Sequence, residues 1–104
     1  MNNLADCVPD RLDAELFETL VHTDAVHIER IVSRGHVTPA GQWYDQDRQE
    51  WVLLVRGAAR VAFADGREVG LAPGDWLNIA AHEQHRVAWT DPGQDTVWLA
   101  VHYR

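Results

Sequence analysis

The chain has 104 residues, 46% of them hydrophobic, and 16 acidic against 9 basic side chains give it a formal charge of -7. That length suits one compact domain, and the acidic balance, with no window rich in Lys or Arg, argues against nucleic acid or an anionic membrane as partner. A single cysteine, Cys7, allows no intrachain disulfide, "MNNLADCVPDRL" lacks the basic-then-apolar order of a signal peptide, and no apolar run approaches the ~18 residues of a membrane span, so a soluble cytoplasmic protein is expected.

Near the start, Leu12, Leu16 and Leu20 recur every fourth residue with Phe17 and Val21 beside them, and Asp10 or Asp13 is placed to cap freed amides. This spacing predicts a short amphipathic helix over about residues 13–21, within an N-terminal segment 1–25 that precedes the main domain, 26–104. After "HTDA" the period becomes two: Val26, Ile28 and Val32 fall on one strand face, with Arg30 the exception. "SRGHVTPAG" is punctuated as a loop. "EWVLLVRG" reads as a buried strand stopped at Gly57, and "AARVAFADGREVGL" as two strands around Asp65-Gly66, a dipeptide suited to a type I′ hairpin. "DWLNIA", "HEQHRVAWT" and "TVWLAVHYR" add three more strands with turns between them. Short strands at this spacing indicate an all-β sandwich or barrel.

Two stretches resemble the motifs of the cupins, small jelly-roll barrels, which read G(X)5HXH(X)3–4E(X)6G and G(X)5PXG(X)2H(X)3N. Glu50, six residues and then Gly57 reproduce the end of the first, and "GDWLNIAAHEQH" from Gly74 to His85 supplies the frame of the second. The resemblance covers roughly three quarters of the chain and implies a cupin jelly-roll barrel, or double-stranded β-helix, here with the short N-terminal helix appended. It departs from the family where the paired histidines stand. With four intervening residues before Glu50 those positions are Trp43 and Asp45; with three they are Tyr44 and Gln46. In the second motif Ala80, His82 and Trp89 replace the proline, glycine and asparagine.

The surviving family ligands are Glu50 and His85, which the resemblance turns into the barrel, where a lone carboxylate is costly to keep charged. Either a divalent cation such as Mn²⁺, Fe²⁺ or Zn²⁺ is held by Asp45, Glu50 and His85 with water, or Glu50 pairs directly with His85, or bonds Tyr44 or Gln46, and the cavity is free of metal. His36 and His102 are further candidate ligands that sequence cannot place. Alternation from Glu50 and His85 brings Val52, Leu54, Val87 and Trp89 inward, and Trp43, Gln46 and Trp89 are the expected lining of a small-ligand pocket. Two functions follow: a metal-dependent enzyme acting on a small organic molecule, or a non-catalytic module that binds or senses one. The resemblance also implies a homodimer, for which tryptophans such as Trp51 or Trp76 would supply an apolar contact.

Overall fold

A computed structural model describes residues 3–104, which form eight strands and no helix. They are β1 (Leu16–His22), β2 (Val26–Ser33), β3 (Gln49–Arg56), β4 (Ala59–Phe63), β5 (Glu68–Leu71), β6 (Trp76–Ile79), β7 (His85–Thr90) and β8 (Thr96–Tyr103). A five-stranded sheet in the order β1-β2-β8-β3-β6 packs on a three-stranded sheet in the order β5-β4-β7, and every pairing is antiparallel. This is the jelly roll implied by the motif resemblance.

Alternation decides what fills it. The register places Glu50 opposite His102, Val52 opposite Ala100 and Leu54 opposite Trp98. These side chains point between the sheets, where Val52, Leu54 and Trp98 meet Val61 and Phe63 of β4 and Ile79 of β6 in one buried cluster. The intervening residues of β3 and β8, among them Trp51, Leu53, Leu99 and Val101, stand on the outer face.

The N-terminal prediction fails at residues 16–22, which form β1 rather than a helix. A four-residue spacing of leucines is shared by a helix face and a strand face, because four is close to one helical turn and also twice the strand period. A helix of about nine residues is marginal alone. Pairing with β2, as in Phe17 against Ile31 and Glu18 against Arg30, instead satisfies a row of backbone groups, with an irregularity between Thr19 and Val21.

That pairing explains Arg30. It shares the outer face of β2 with Ile28 and Val32 and is buried there beneath the N-terminal segment. Its guanidinium pairs with Glu18 and donates to the carbonyls of Leu4, Asp6 and Cys7. Arg34 holds the carbonyls of Pro9 and Asp10 in the same way. Two arginines thus lash residues 4–10 across the sheet, and the inner face of β2 is left with His27, Glu29, Ile31 and Ser33.

The Asp65-Gly66 hairpin forms, but not as a type I′ turn. Only Gly66 has a positive φ, 99°, whereas type I′ needs two such residues. Gly66 N–H donates to Phe63 O at 3.0 Å and Phe63 N–H to Arg67 O at 2.8 Å, the pattern of a type I turn closed by a glycine bulge. Asp65 selects this form by accepting the Arg67 N–H at 3.0 Å.

Gly57, the last residue of the first motif, has a φ of 95°, and a Cβ there would stand 2.6 Å from Thr96 Cα and 2.7 Å from Asp95 O. Because backbone atoms cannot step aside, Gly57→Ala is expected to cost at least ~2 kcal/mol in urea unfolding. Gly41 also has a positive φ, 83°, but is open to solvent, so Gly41→Ala should cost less.

Candidate functional site

The site begins with a backbone contact outside the regular strands. Tyr44 N–H donates to His85 O at 2.7 Å and His85 N–H returns to Tyr44 O at 3.2 Å, an isolated antiparallel bridge. Residues directly opposite in such a pair share a face, so Tyr44 and His85 both enter the barrel, their rings stacked with centroids 5.6 Å apart. Alternation then turns Gln46 inward with Tyr44 and sends Trp43 and Asp45 outward.

This settles the two ways of counting back from Glu50: the register with three intervening residues is the one that faces the interior. Tyr44 and Gln46 line the cavity. Trp43 is 39% exposed and lies against the Arg86 guanidinium, 5.7 Å from its ring centre. Asp45 bonds His82 Nδ1 at 2.8 Å and Gln84 Nε2 at 3.3 Å on the surface, and the His82 bond holds its carboxyl below the usual range. Asp45 is therefore not brought together with Glu50 and His85.

Trp89 is also outside the cavity. On β7, Val87 pairs with Val61 and Trp89 with Arg60, so Ala88 is an extra residue in the ladder. Such a bulge inverts the alternation after it. Val87 remains inside, Trp89 lies beside the exposed Arg60, and Thr90 turns in to donate to His36 O at 2.7 Å.

Glu50 and His85 do converge. They are 8% and 7% exposed, and His85 Nε2 lies 3.3 Å from Glu50 Oε1. His85 Nδ1 faces the Glu83 carbonyl at 2.8 Å. Both ring nitrogens thus face acceptors, an arrangement that favours the doubly protonated ring. Burial opposes that charge, but the bonds to Glu50 and Glu83 outweigh it and hold the pKa of His85 above its ordinary value.

A second imidazole completes the centre. His102 Nε2 lies 3.0 Å from Glu29 Oε1 and 3.8 Å from Glu50 Oε2, and its Nδ1 is 3.1 Å from Gln46 Oε1. The Glu29 bond raises its pKa despite burial. Glu29 carried no role in the sequence reading, Tyr44 was one of two alternatives at a family histidine position, and His102 had only an unplaced role. The apolar pattern of β2 drew the eye to the face opposite Glu29, and His102 joins Glu50 only through the β3–β8 register.

These side chains line a cavity of about 70 Å³ together with Ile31, Val52, Val61, Ile79, Val87 and Trp98. The strong donors able to serve a metal are Glu50 and His85, with His102 and Glu29 next to them. They do not fit the family's metal. Tyr44 and Gln46 occupy the places of the paired imidazoles, Glu29 and Glu50 already neutralise two histidines, and no group of three or more His, Cys, Asp or Glu side chains among the described residues is arranged to hold an ion. Nor is any buried side-chain nitrogen or oxygen among them left without a partner.

The double-stranded β-helix encloses an acid–imidazole pair at the two surviving motif positions, and its fold is that of the cupins. The chain is 45% identical to a protein of Ralstonia eutropha JMP134 provisionally described as a mannose-6-phosphate isomerase, over 99% of this chain and 96% of that one, with a TM-score of 0.94. A cupin superfamily protein of Desulfitobacterium hafniense DCB-2 shares the fold at 22% identity, 96% and 86% coverage and a TM-score of 0.79. So does an RmlC-like cupin family protein of Methanocaldococcus jannaschii with a double-stranded β-helix fold, at 16% identity, 92% and 85% coverage and a TM-score of 0.71. No family model matches the chain, and no curated protein is matched.

The ion pair makes a signed prediction about pH. His85 has a raised pKa, so its pairing stabilises the fold fully below the ordinary imidazole value of 6.5 and loses that contribution as pH rises through the folded pKa. Glu50→Gln should therefore cost about 2 kcal/mol in urea unfolding near pH 6 and clearly less near pH 9. An equal cost at both would show that His85 is neutral in the fold.

Proposed function

We propose that this chain is a small-molecule-binding cupin in which the barrel interior receives the ligand and the Glu50–His85 pair bonds it without a metal. The observation that carries this reading is the state of His85, whose two nitrogens both face acceptors at positions where Tyr44 and Gln46 have replaced the family's imidazoles. A carboxylate and an imidazolium in contact offer a ligand one strong acceptor and one strong donor, the requirement for binding a hydroxyl or carbonyl group or for moving a proton on it. His102, bonded to Glu29 and 3.8 Å from the second oxygen of Glu50, supplies a further proton-carrying group.

The provisional description of the Ralstonia eutropha relative does not transfer directly. The 70 Å³ cavity is small beside the roughly 300 Å³ of ordinary small-molecule pockets, and no Arg or Lys lines it to receive a phosphate. The depression outside it carries Arg48, but Asp45 and Asp47 stand in the same hollow and Arg48 is engaged with the Asp24 carbonyl at 3.1 Å. What the isomerase description shares with this centre is the need for an acid and a base side by side.

Elemental analysis of protein purified without chelator tests the reading. The expected result is no stoichiometric transition metal and a melting temperature unmoved by EDTA; a stoichiometric ion lost in both Glu50→Ala and His85→Ala overturns it.

We also propose a homodimer through the outer face of the five-stranded sheet. Trp51 and Trp76 stand there with ring centres 6.0 Å apart, Trp76 is 59% exposed, and Leu53, Leu99 and Val101 extend the patch. None of these side chains is charged, so two chains of net charge -7 can meet there without opposing like charges. Light scattering at micromolar concentration should give twice the chain mass, falling to one chain for Trp76→Glu; a monomeric wild type rules the dimer out.

A further inference from the structure

The cavity has two polar ends, and they differ in how charge is balanced. At the first, Glu50 and Glu29 each face an imidazole whose pKa is held above its ordinary value. At the second, Glu15 forms no ion pair among the described residues. Its partner is the hydroxyl of Ser33, a fully buried residue, and Ser33 Oγ lies 3.3 Å from Trp98 Nε1. Indole N–H can only donate, so Ser33 accepts from Trp98 and spends its single proton on Glu15. The chain of bonds therefore runs toward the carboxylate and delivers no positive charge to it.

The nearest candidate cation is disarmed. His36 Nδ1 accepts the Arg34 N–H at 2.9 Å, which a neutral ring does and an imidazolium cannot. Burial pushes the Glu15 carboxyl up and nearby Glu29 adds to the rise, outweighing the Ser33 bond and the pull of His36. Phe17, itself half exposed, and Tyr44 line the same cavity, and aromatic faces attract cations.

Building on the metal-free cavity reading, we infer that the ligand of this barrel carries a protonated amine, bound by Glu15 beside Phe17 and Tyr44, while its other end meets the Glu50–His85 pair. An ammonium supplies the positive charge that the Glu15 end lacks and the donors its carboxylate can accept. An anionic ligand would instead find Glu29 and Glu50 already paired with the two lining imidazoles and Glu15 left to repel it, with no Arg or Lys in the lining.

A size-matched series isolates charge: n-butylammonium, 1-butanol and butyrate, titrated into the full chain and followed by amide and side-chain NMR shifts. The ammonium should bind at least about tenfold more tightly than the alcohol, and butyrate most weakly, with Glu15, Phe17 and Ser33 resonances moving. Glu15→Gln, which keeps a side chain of the same shape, should bring the ammonium down to the level of the alcohol while its melting curve reports an intact fold. If the wild type binds alcohol or butyrate as well as ammonium, the amine inference falls and the cavity reading stands. If folded Glu15→Gln keeps the preference, the assignment to Glu15 falls. If none of the three moves a cavity resonance, both readings fall. The wild-type series decides the question of charge even where the variant does not fold.

Discussion

A carboxylate enclosed in a β shell stays charged only against a positive partner, and that requirement organises this molecule. Glu50 is buried because β3 alternates and its side chains at Glu50, Val52 and Leu54 point between the sheets. His85 meets it from β7 of the other sheet, so the pair also ties the two sheets together across the cavity. The same rule operates on the outside of the barrel. There Arg30 is the buried charge, and Glu18 with three carbonyls of the N-terminal segment neutralises and solvates it.

Irregularities in the ladders decide which side chains share that interior. Ala88 is unpaired in β7, so Trp89 turns outward and Thr90 turns in to be buried against His36 O. The Tyr44–His85 bridge lies outside any regular strand, yet it orients a whole stretch of loop and selects Gln46 over Asp45 as a cavity residue. The resulting interior is apolar along its walls and polar at both ends. Its acid and imidazole are already bonded to each other, a state that a ligand must match donor for donor to displace.

Much of this was visible in the residues. The interval from Glu50 to Gly57 announced a strand ending in a glycine, and the contact of a Cβ at Gly57 with Asp95 and Thr96 explains why only glycine serves. The convergence of Glu50 and His85 followed from the motif frame. Other features were ambiguous for identifiable reasons. Leu16 and Leu20 satisfy a helix and a strand alike, and only β2 lying alongside decides between them. Asp45 and Gln46 differ by one position, and one position reverses the face. Glu29 belongs to the polar side of a strand whose apolar side looks like the core but is covered by residues 4–10.

Sequence by itself determined the periodicities, the turn positions and the identity of one acid and one imidazole that a β barrel would enclose, because these depend on neighbours a few residues away. Tertiary structure decided the rest: β1 in place of a helix, Trp89 and Asp45 outside, His102 and Glu29 beside Glu50, and Glu15 without a counter-charge. Each of these depends on the register between strands far apart in the chain, and a register is an agreement between two segments that neither one encodes alone.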